Sequence, residues 1–166
     1  YEHVGERCAA AGLDVHAYDH RGTGQSGGRR GHVDRWTQLH DDLEDRLADL
    51  RRRSGGRPIA LYGHSMGGLI VAGFCLAGRQ PPDLVVLSAP GLDSTLAAWK
   101  KRLAALLGRF APTFPIPNGV PGEALSRDPA VAARMAADPH CVTRSTARFG
   151  AEGLADGPED LERETQ

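Results

Sequence analysis

The sequence has few cysteines, few aromatic residues and no long hydrophobic run. Its three cysteines, Cys8, Cys75 and Cys141, are widely spaced and form no Cys-x-x-Cys pair, which argues against a disulfide framework and a zinc site. No apolar run reaches the roughly 18 residues that a membrane-spanning helix needs. We therefore expect a protein without a metal, without a disulfide framework and without a transmembrane helix.

The chain also lacks an excess of charge of either sign. Its formal net charge is −1 over 166 residues, and such a balance gives no indication of a nucleic-acid partner. Hydrophobic residues make up 40% and charged residues 25%, a composition typical of one globular domain. We expect a cytoplasmic protein with membrane association. The chain begins at Tyr1 rather than Met, so the sequence leaves a signal peptide open.

Apolar strands alternate with helices along the first 90 residues. Such alternation predicts right-handed crossovers and a mostly parallel sheet with flanking helices, which is an α/β fold. The core is assigned to residues 1–90. Its strands are predicted near residues 13–19, 58–63 and 84–89, and its helices at 1–11, 34–53 and 66–78.

The character of the sequence changes after Pro90. An amphipathic helix is predicted over 94–110, with Lys100, Lys101 and Arg102 opposite its apolar face. That apolar face either packs on the core, or lines an acyl-binding cleft while the basic face lies on anionic lipid. A proline-rich irregular segment and a short helix from Pro129 follow. We assign residues 91–150 to a cap inserted after the strand and 151–166 to a polar C-terminal segment.

Two stretches match Gly-x-Ser-x-Gly, the pattern of the nucleophile elbow of serine hydrolases. An elbow needs a buried strand before it and a helix directly after it. The stretch GHSMG at 63–67 has both, so Ser65 is the predicted nucleophile and the backbone N–H of Met66 the predicted oxyanion donor. A strand–helix turn without chemistry is the alternative. The other elbow residues are Gly63, His64, Gly67 and Gly68.

The second match lies in DHRGTGQSGG, at Gly24, Ser26 and Gly28, and no helix follows it. The same stretch matches the Gly-x-Gly-x-x-Gly pattern of dinucleotide-binding turns through Gly22, Gly24 and Gly27. That pattern requires the glycines to open a helix, and these do not. We therefore expect neither a nucleophile nor a nucleotide cofactor here.

A serine nucleophile needs a general base and an acid that orients it. In this fold they follow the nucleophile in the order Ser, acid, His. Only His140 lies downstream of Ser65, and it follows a short helix rather than a strand. Asp93 is the candidate acid, just past the strand at 84–89. Ordinary loop roles are the alternative for both, and we expect the triad acid and base to lie outside this chain.

Taken together, these motifs resemble the monoacylglycerol lipase and lysophospholipase branch of the α/β-hydrolases, which is also labelled the serine aminopeptidase S33 type. The resemblance covers residues 1 to about 150, through the stretches already quoted and through LVVLSAPGLD and ALSRDPAVAARMAADP. It implies an α/β-hydrolase fold with a helical cap inserted after the strand at 84–89. It also implies a loop that flanks the active site without supplying the nucleophile, formed by Asp19, Arg21, Gly22, Gly24 and Ser26.

The resemblance implies a function as well. It implies a serine carboxyl-ester hydrolase that acts on monoacylglycerols, lysophospholipids or similar lipid esters through an acyl-enzyme, without a cofactor. The alternatives are a non-catalytic α/β-hydrolase-like binding protein, or a peptidase or other hydrolase on the same core. Peripheral membrane contact through the cap is a further expectation.

The family topology also places an upstream strand between the strands at 13–19 and 58–63. We expect that strand, the second oxyanion donor and the triad acid and base to lie outside this sequence. The N- and C-terminal parts of the fold are therefore expected to be missing. We expect the chain to be a fragment that is unstable and inactive alone, because unpaired backbone at the centre of a sheet is costly.

Overall fold

A computed structural model of the chain describes residues 2–92, 96–118 and 126–155. Two helices come first, and strands then alternate with helices to the end of the described chain. The elements are α1 (Glu2–Ala10), α2 (Thr37–Arg53), β1 (Ala60–His64), α3 (Met66–Leu76), β2 (Leu84–Ser88), α4 (Ala98–Phe110), β3 (Pro115–Pro117), α5 (Pro129–Ala137), β4 (Arg144–Thr146) and α6 (Ala147–Ala155).

The strands β1 and β2 pair in parallel, in register from Ala60 opposite Leu84 to His64 opposite Ser88. Helix α3 connects them and packs back on both strands, which is the βαβ unit predicted from the sequence. Both strands therefore end at the same edge, where His64 and Ser88 lie side by side. The parallel sheet with helices confirms the α/β class.

The core lies between α2, α3 and the loop before α2. Leu39, Leu43 and Leu47 recur along one face of α2 and are buried, and Ile70 and Phe74 of α3 are buried with them. Burying each such side chain stabilises the fold by about 1.5–3 kcal/mol. This cluster holds α2, and with it the loop that precedes the helix, against the helix that follows Ser65.

The predicted strand near residues 13–19 is wrong. These residues have no strand assignment in the part of the chain that the structure describes, and Leu13 and Val15 are 60% and 45% exposed. A strand exists only where a neighbour completes its hydrogen-bond ladder. Among the described residues β1 and β2 pair only with each other, so this alternating segment has no neighbour.

The apolar face of the cap helix does not pack on the core, which was one of the two predicted roles of that face. The helix begins at Ala98 in the described chain, and Trp99, Leu103, Leu106 and Phe110 on its apolar face are exposed rather than packed on the core. It packs instead against α6 through Gly108, where an added Cβ would come within 2.6 Å of the Ala151 Cβ. A glycine allows the two helix backbones to approach closely, which decides the contact face.

Two three-residue strands, β3 and β4, pair antiparallel, with Ile116 opposite Ser145. Of these, β3 lies in the proline-rich segment predicted to be irregular. The polar segment assigned to 151–166 contains the end of α6, and its residues 156–166 lie outside the described chain. No helix in the described ranges is both long and apolar enough to cross a membrane.

Candidate active site

Ser65 lies at the turn between β1 and α3. Its φ is 51° and its ψ is −118°, a backbone conformation that residues other than glycine rarely adopt. Such strain persists only where the surrounding structure enforces it, and it occurs mainly at functional sites. The residue is exposed, and among the described residues its hydroxyl has no hydrogen-bond partner. The hydroxyl is therefore presented to solvent at the tip of the turn.

The glycines around Ser65 have different roles. A Cβ at Gly63 would lie 2.6 Å from the carbonyl oxygen of Gly67, and a Cβ at Gly68 would lie 2.7 Å from the Cβ of Pro90. At both positions a side chain would collide with neighbouring atoms, so only glycine fits. Gly67 has no atom within 4 Å of such a Cβ, so its place in the motif has no steric requirement in the described structure.

The predicted oxyanion donor lies at the start of α3. Met66 is the first residue of this helix, so its N–H has no acceptor within the helix, and no other described group accepts it. The free N–H groups and the helix dipole create a positive potential at this end. This arrangement suits an oxyanion that forms beside Ser65. His64 faces the neighbouring strand, with its Nδ1 3.0 Å from the Oγ of Ser88.

The glycine-rich loop at 19–28 is closed by hydrogen bonds within itself. The Oδ2 of Asp19 accepts the N–H of Gln25 at 2.8 Å, and the Oγ of Ser26 donates to the carbonyl of Asp19 at 2.6 Å. Gly22 has a φ of 69° and Gly24 a φ of 49°. Ser26 therefore stabilises the loop with its hydroxyl, and the bend leaves no helix after it.

A charged pair joins this loop to α2. The Nε and one terminal nitrogen of Arg21 donate to the two carboxylate oxygens of Asp42, both at 2.6 Å. The hydrogen bond to Asp42 raises the pKa of Arg21 above its usual range. Burial, with Asp42 nearby, raises the pKa of Tyr18 to about 12. The loop is thereby fixed to the core beneath it.

A cavity of about 280 Å³ lies where the loop, the elbow and the cap meet. Met66 contributes from the elbow and Thr23 from the loop. The cap contributes Val142 and Phe149, and also the hydrogen-bonded polar pair Asn118 and Ser145. Thr23 of the loop thus lines the same cavity as Met66, the predicted oxyanion donor.

The structure does not bring the candidate base to Ser65. The Nδ1 of His140 lies 3.2 Å from the carbonyl oxygen of Gly24, and Arg30 donates to the carbonyl oxygens of both residues at 2.7 Å. This histidine therefore fastens the cap to the loop. The candidate acid Asp93 lies outside the described residues. No cluster of His, Cys, Asp or Glu suited to a metal occurs in the described part of the chain.

One contributor to the site has no role predicted from the sequence. The turn after β2, residues 88–91, lies directly against the elbow, where the carbonyl of Ser88 accepts the Ser65 N–H at 3.1 Å. The sequence signals for it are its place in the stretch LVVLSAPGLD and its position at the end of a strand predicted to neighbour the elbow strand.

The family model described as serine aminopeptidase, S33, matches residues 1–166. The chain is 39% identical over 147 residues to a monoacylglycerol lipase of Mycolicibacterium smegmatis, covering 84% of this chain and 50% of the relative. It is 29% identical over 132 residues to a monoglyceride lipase homolog of Monkeypox virus, covering 77% of this chain and 46% of the relative. The chain thus spans about half the length of these relatives.

Solved structures show the same fold. A crystal structure of the Paleococcus ferrophilus monoacylglycerol lipase superposes with a TM-score of 0.82 at 29% identity, covering 99% of this chain and 61% of the other. A soluble variant of the Saccharomyces cerevisiae monoglyceride lipase, in complex with a substrate analog, superposes with a TM-score of 0.68 at 24% identity. That match covers 87% of this chain and 50% of the other.

Proposed function

The chain belongs to the serine aminopeptidase S33 family of the α/β-hydrolases, and from this premise we propose that the protein is a hydrolase of single-chain lipid esters with Ser65 as its nucleophile. The observation that carries the proposal is the strained, exposed Ser65 followed directly by the unpaired N–H of Met66. The substrate class follows the two relatives named as monoacylglycerol lipases.

The proposed reaction has two steps. The Oγ of Ser65 attacks the ester carbonyl carbon, and its proton passes to a base that is not among the described residues near it. The bond from the carbonyl carbon to the alcohol oxygen breaks, and the alcohol leaves with a proton. Water then attacks the acyl-enzyme and releases the fatty acid and free Ser65. In both steps the Met66 N–H donates to the oxyanion.

The exposed side of the cap helix favours contact with an apolar surface. Several apolar side chains of the cap helix are exposed, with Trp99 63% and Phe110 74% exposed, and Lys100 and Arg109 are on the same helix. We extend the proposal to peripheral contact of this helix with an anionic lipid surface, because apolar side chains insert at the interface while basic groups pair with headgroups.

The substrate proposal is tested on the full-length protein with three substrates: a monoacylglycerol, a lysophosphatidylcholine and an aminoacyl p-nitroanilide. We expect release of fatty acid from the monoacylglycerol in wild type and its loss in Ser65→Ala. Hydrolysis of the anilide alone would replace the lipase proposal with a peptidase. No hydrolysis of any of the three by a folded full-length protein would favour a binding role.

The membrane proposal is tested by sedimentation with anionic vesicles. We expect the full-length protein to bind vesicles that contain phosphatidylserine. The triple change of Lys100, Lys101 and Arg102 to Ser should weaken that binding. Unchanged binding in this variant would contradict the role of the basic residues in membrane contact.

A further inference from the structure

Two residues other than glycine have a positive φ in the described part of the chain, and they lie next to each other in space. One is Ser65, with a φ of 51°, and the other is Ala89, with a φ of 42°. Each follows the end of one of the paired parallel strands, since β1 ends at His64 and β2 ends at Ser88. Backbone strain is therefore concentrated at one point of the sheet edge.

The turn at 88–91 holds both peptide groups of Ser65. The carbonyl of Ser88 accepts the Ser65 N–H at 3.1 Å, and the N–H of Gly91 donates to the Ser65 carbonyl at 3.0 Å. The same turn meets α3 at Pro90, which fills the space that a side chain at Gly68 would need. A rotation of Ser65 toward relaxed angles would break these contacts.

The turn has a defined shape. The N–H of Leu92 donates to the carbonyl of Pro90 at 2.9 Å, which closes a three-residue turn centred on Gly91. Gly91 is not among the glycines with a positive φ, so this is an inverse γ-turn, the common form. Its N–H points at Ser65 because Ala89 reverses the chain just after the strand.

We propose that the turn at residues 88–91 positions the nucleophile, with Ala89 and Gly91 as positioning residues that keep the Ser65 backbone strained. The inference rests on the proposed function, in which Ser65 is the nucleophile. The turn fixes the Oγ relative to the Met66 N–H, and this alignment matters most while charge develops on the substrate oxygen. Weakening the turn should therefore lower kcat far more than it raises KM.

A matched pair at Gly91 tests this in the full-length protein. A Cβ there would lie 3.6 Å from the Ser65 carbonyl oxygen, an ordinary contact, so Gly91→Ala keeps the hydrogen bond. Gly91→Pro suits the φ of an inverse γ-turn but removes the N–H and places a ring carbon against that oxygen. We expect kcat for ester hydrolysis to fall about 100-fold in Gly91→Pro and to stay within about threefold in Gly91→Ala, with little change in KM.

A second pair keeps the test decisive if Gly91→Pro does not fold. Ala89→Gly accepts the positive φ, whereas Ala89→Val places a β-branched side chain where such residues are genuine outliers. The measurement is the rate at which a fluorophosphonate labels Ser65, with the melting temperature recorded beside it. We expect Ala89→Gly to label like wild type and Ala89→Val at least about tenfold more slowly.

The outcomes separate the two proposals. Equal labelling rates and equal kcat in wild type, Gly91→Pro and Ala89→Val would overturn the positioning role while leaving Ser65 as the nucleophile. A folded wild-type protein that is not labelled at Ser65 would overturn the proposed function, and the positioning role with it. Slower labelling of Ala89→Val at an unchanged melting temperature supports the inference, because a purely structural role would change both.

Discussion

The two Gly-x-Ser-x-Gly turns of this chain use the same residue types in opposite ways. At the elbow, Ser65 has a φ of 51° and a hydroxyl with no partner among the described residues, and a helix of 11 residues follows. In the loop, the Ser26 hydroxyl donates to the Asp19 carbonyl at 2.6 Å, and bends follow. The difference shows that the helix behind the serine, more than the pattern, leaves a hydroxyl available for chemistry.

The glycines of the two turns differ in the same way. At the elbow, Gly63 allows one backbone to approach another, because a Cβ there would meet the Gly67 carbonyl at 2.6 Å. In the loop, a Cβ at Gly24 would lie 2.1 Å from the Asp19 carboxylate. This glycine therefore allows the loop to fold closely over the Asp19 side chain. The elbow is thus built by strand–helix packing, and the loop by its own polar groups.

The largest expected effect separates the two serines. Because Ser65 is proposed to supply the attacking oxygen, Ser65→Ala in the full-length protein should lower ester hydrolysis by at least about 10⁴-fold and abolish fluorophosphonate labelling. Ser26→Ala removes only a loop hydrogen bond, so it should remain labelled at Ser65 and lose about 1 kcal/mol of stability. Labelling that moves to Ser26, or persists in Ser65→Ala, would reverse the assignment of the two turns.

A smaller effect distinguishes glycines within the elbow. Gly63→Ala forces a Cβ against backbone atoms 2.6–2.9 Å away, and overpacking of this kind destabilises a fold by about 1–3 kcal/mol. Gly67→Ala is the matched control, because its Cβ meets nothing within 4 Å and alanine favours a helix by up to about 1 kcal/mol. Denaturant unfolding of both variants measures the difference. Equal losses would show that the motif spacing, rather than the backbone contact, sets the requirement.

The sequence predicts the parts of the fold whose pattern is local. The apolar runs at 58–63 and 84–89 correspond to β1 and β2, and the small-residue helix after GHSMG corresponds to α3. The strand near 13–19 fails because its pairing depends on a neighbouring strand, not on its own alternation. The strands β3 and β4 escape prediction because each has three residues, two of them prolines in β3.

The residues of the site also divide into those that local sequence predicts and those whose contacts depend on distant parts of the chain. The elbow is local, so the strand, turn and helix around Ser65 suffice to predict it as the nucleophile. The contacts of Gly91 with Ser65 and of His140 with Gly24 join residues 26 and 116 positions apart, and sheet register and cap packing decide them. No residue pattern near His140 shows that its partner is a loop carbonyl, which is why its candidacy as a base stayed open until the fold was known.

The smallest expected effect concerns the pH dependence of stability, through His20 of the glycine-rich loop. His20 of the loop packs edge-on against Tyr18, and its buried Nδ1 has no hydrogen-bond partner among the described residues. Burial lowers its pKa, although Asp42 and Asp19 oppose the shift. As the pH falls through about 6.5, the unfolded chain takes up a proton that the folded loop resists, so stability is lost until the native pKa is reached. The buried His40 of α2 has a lowered pKa as well and acts in the same direction.

Urea unfolding of the full-length protein between about pH 7.5 and pH 5 measures this loss. His20→Gln cannot take up the proton in either state, so its stability should fall less steeply with acid than that of wild type, and the remaining slope includes the contribution of His40. Identical slopes in wild type and His20→Gln would contradict the contribution of His20 to the acid sensitivity of the fold.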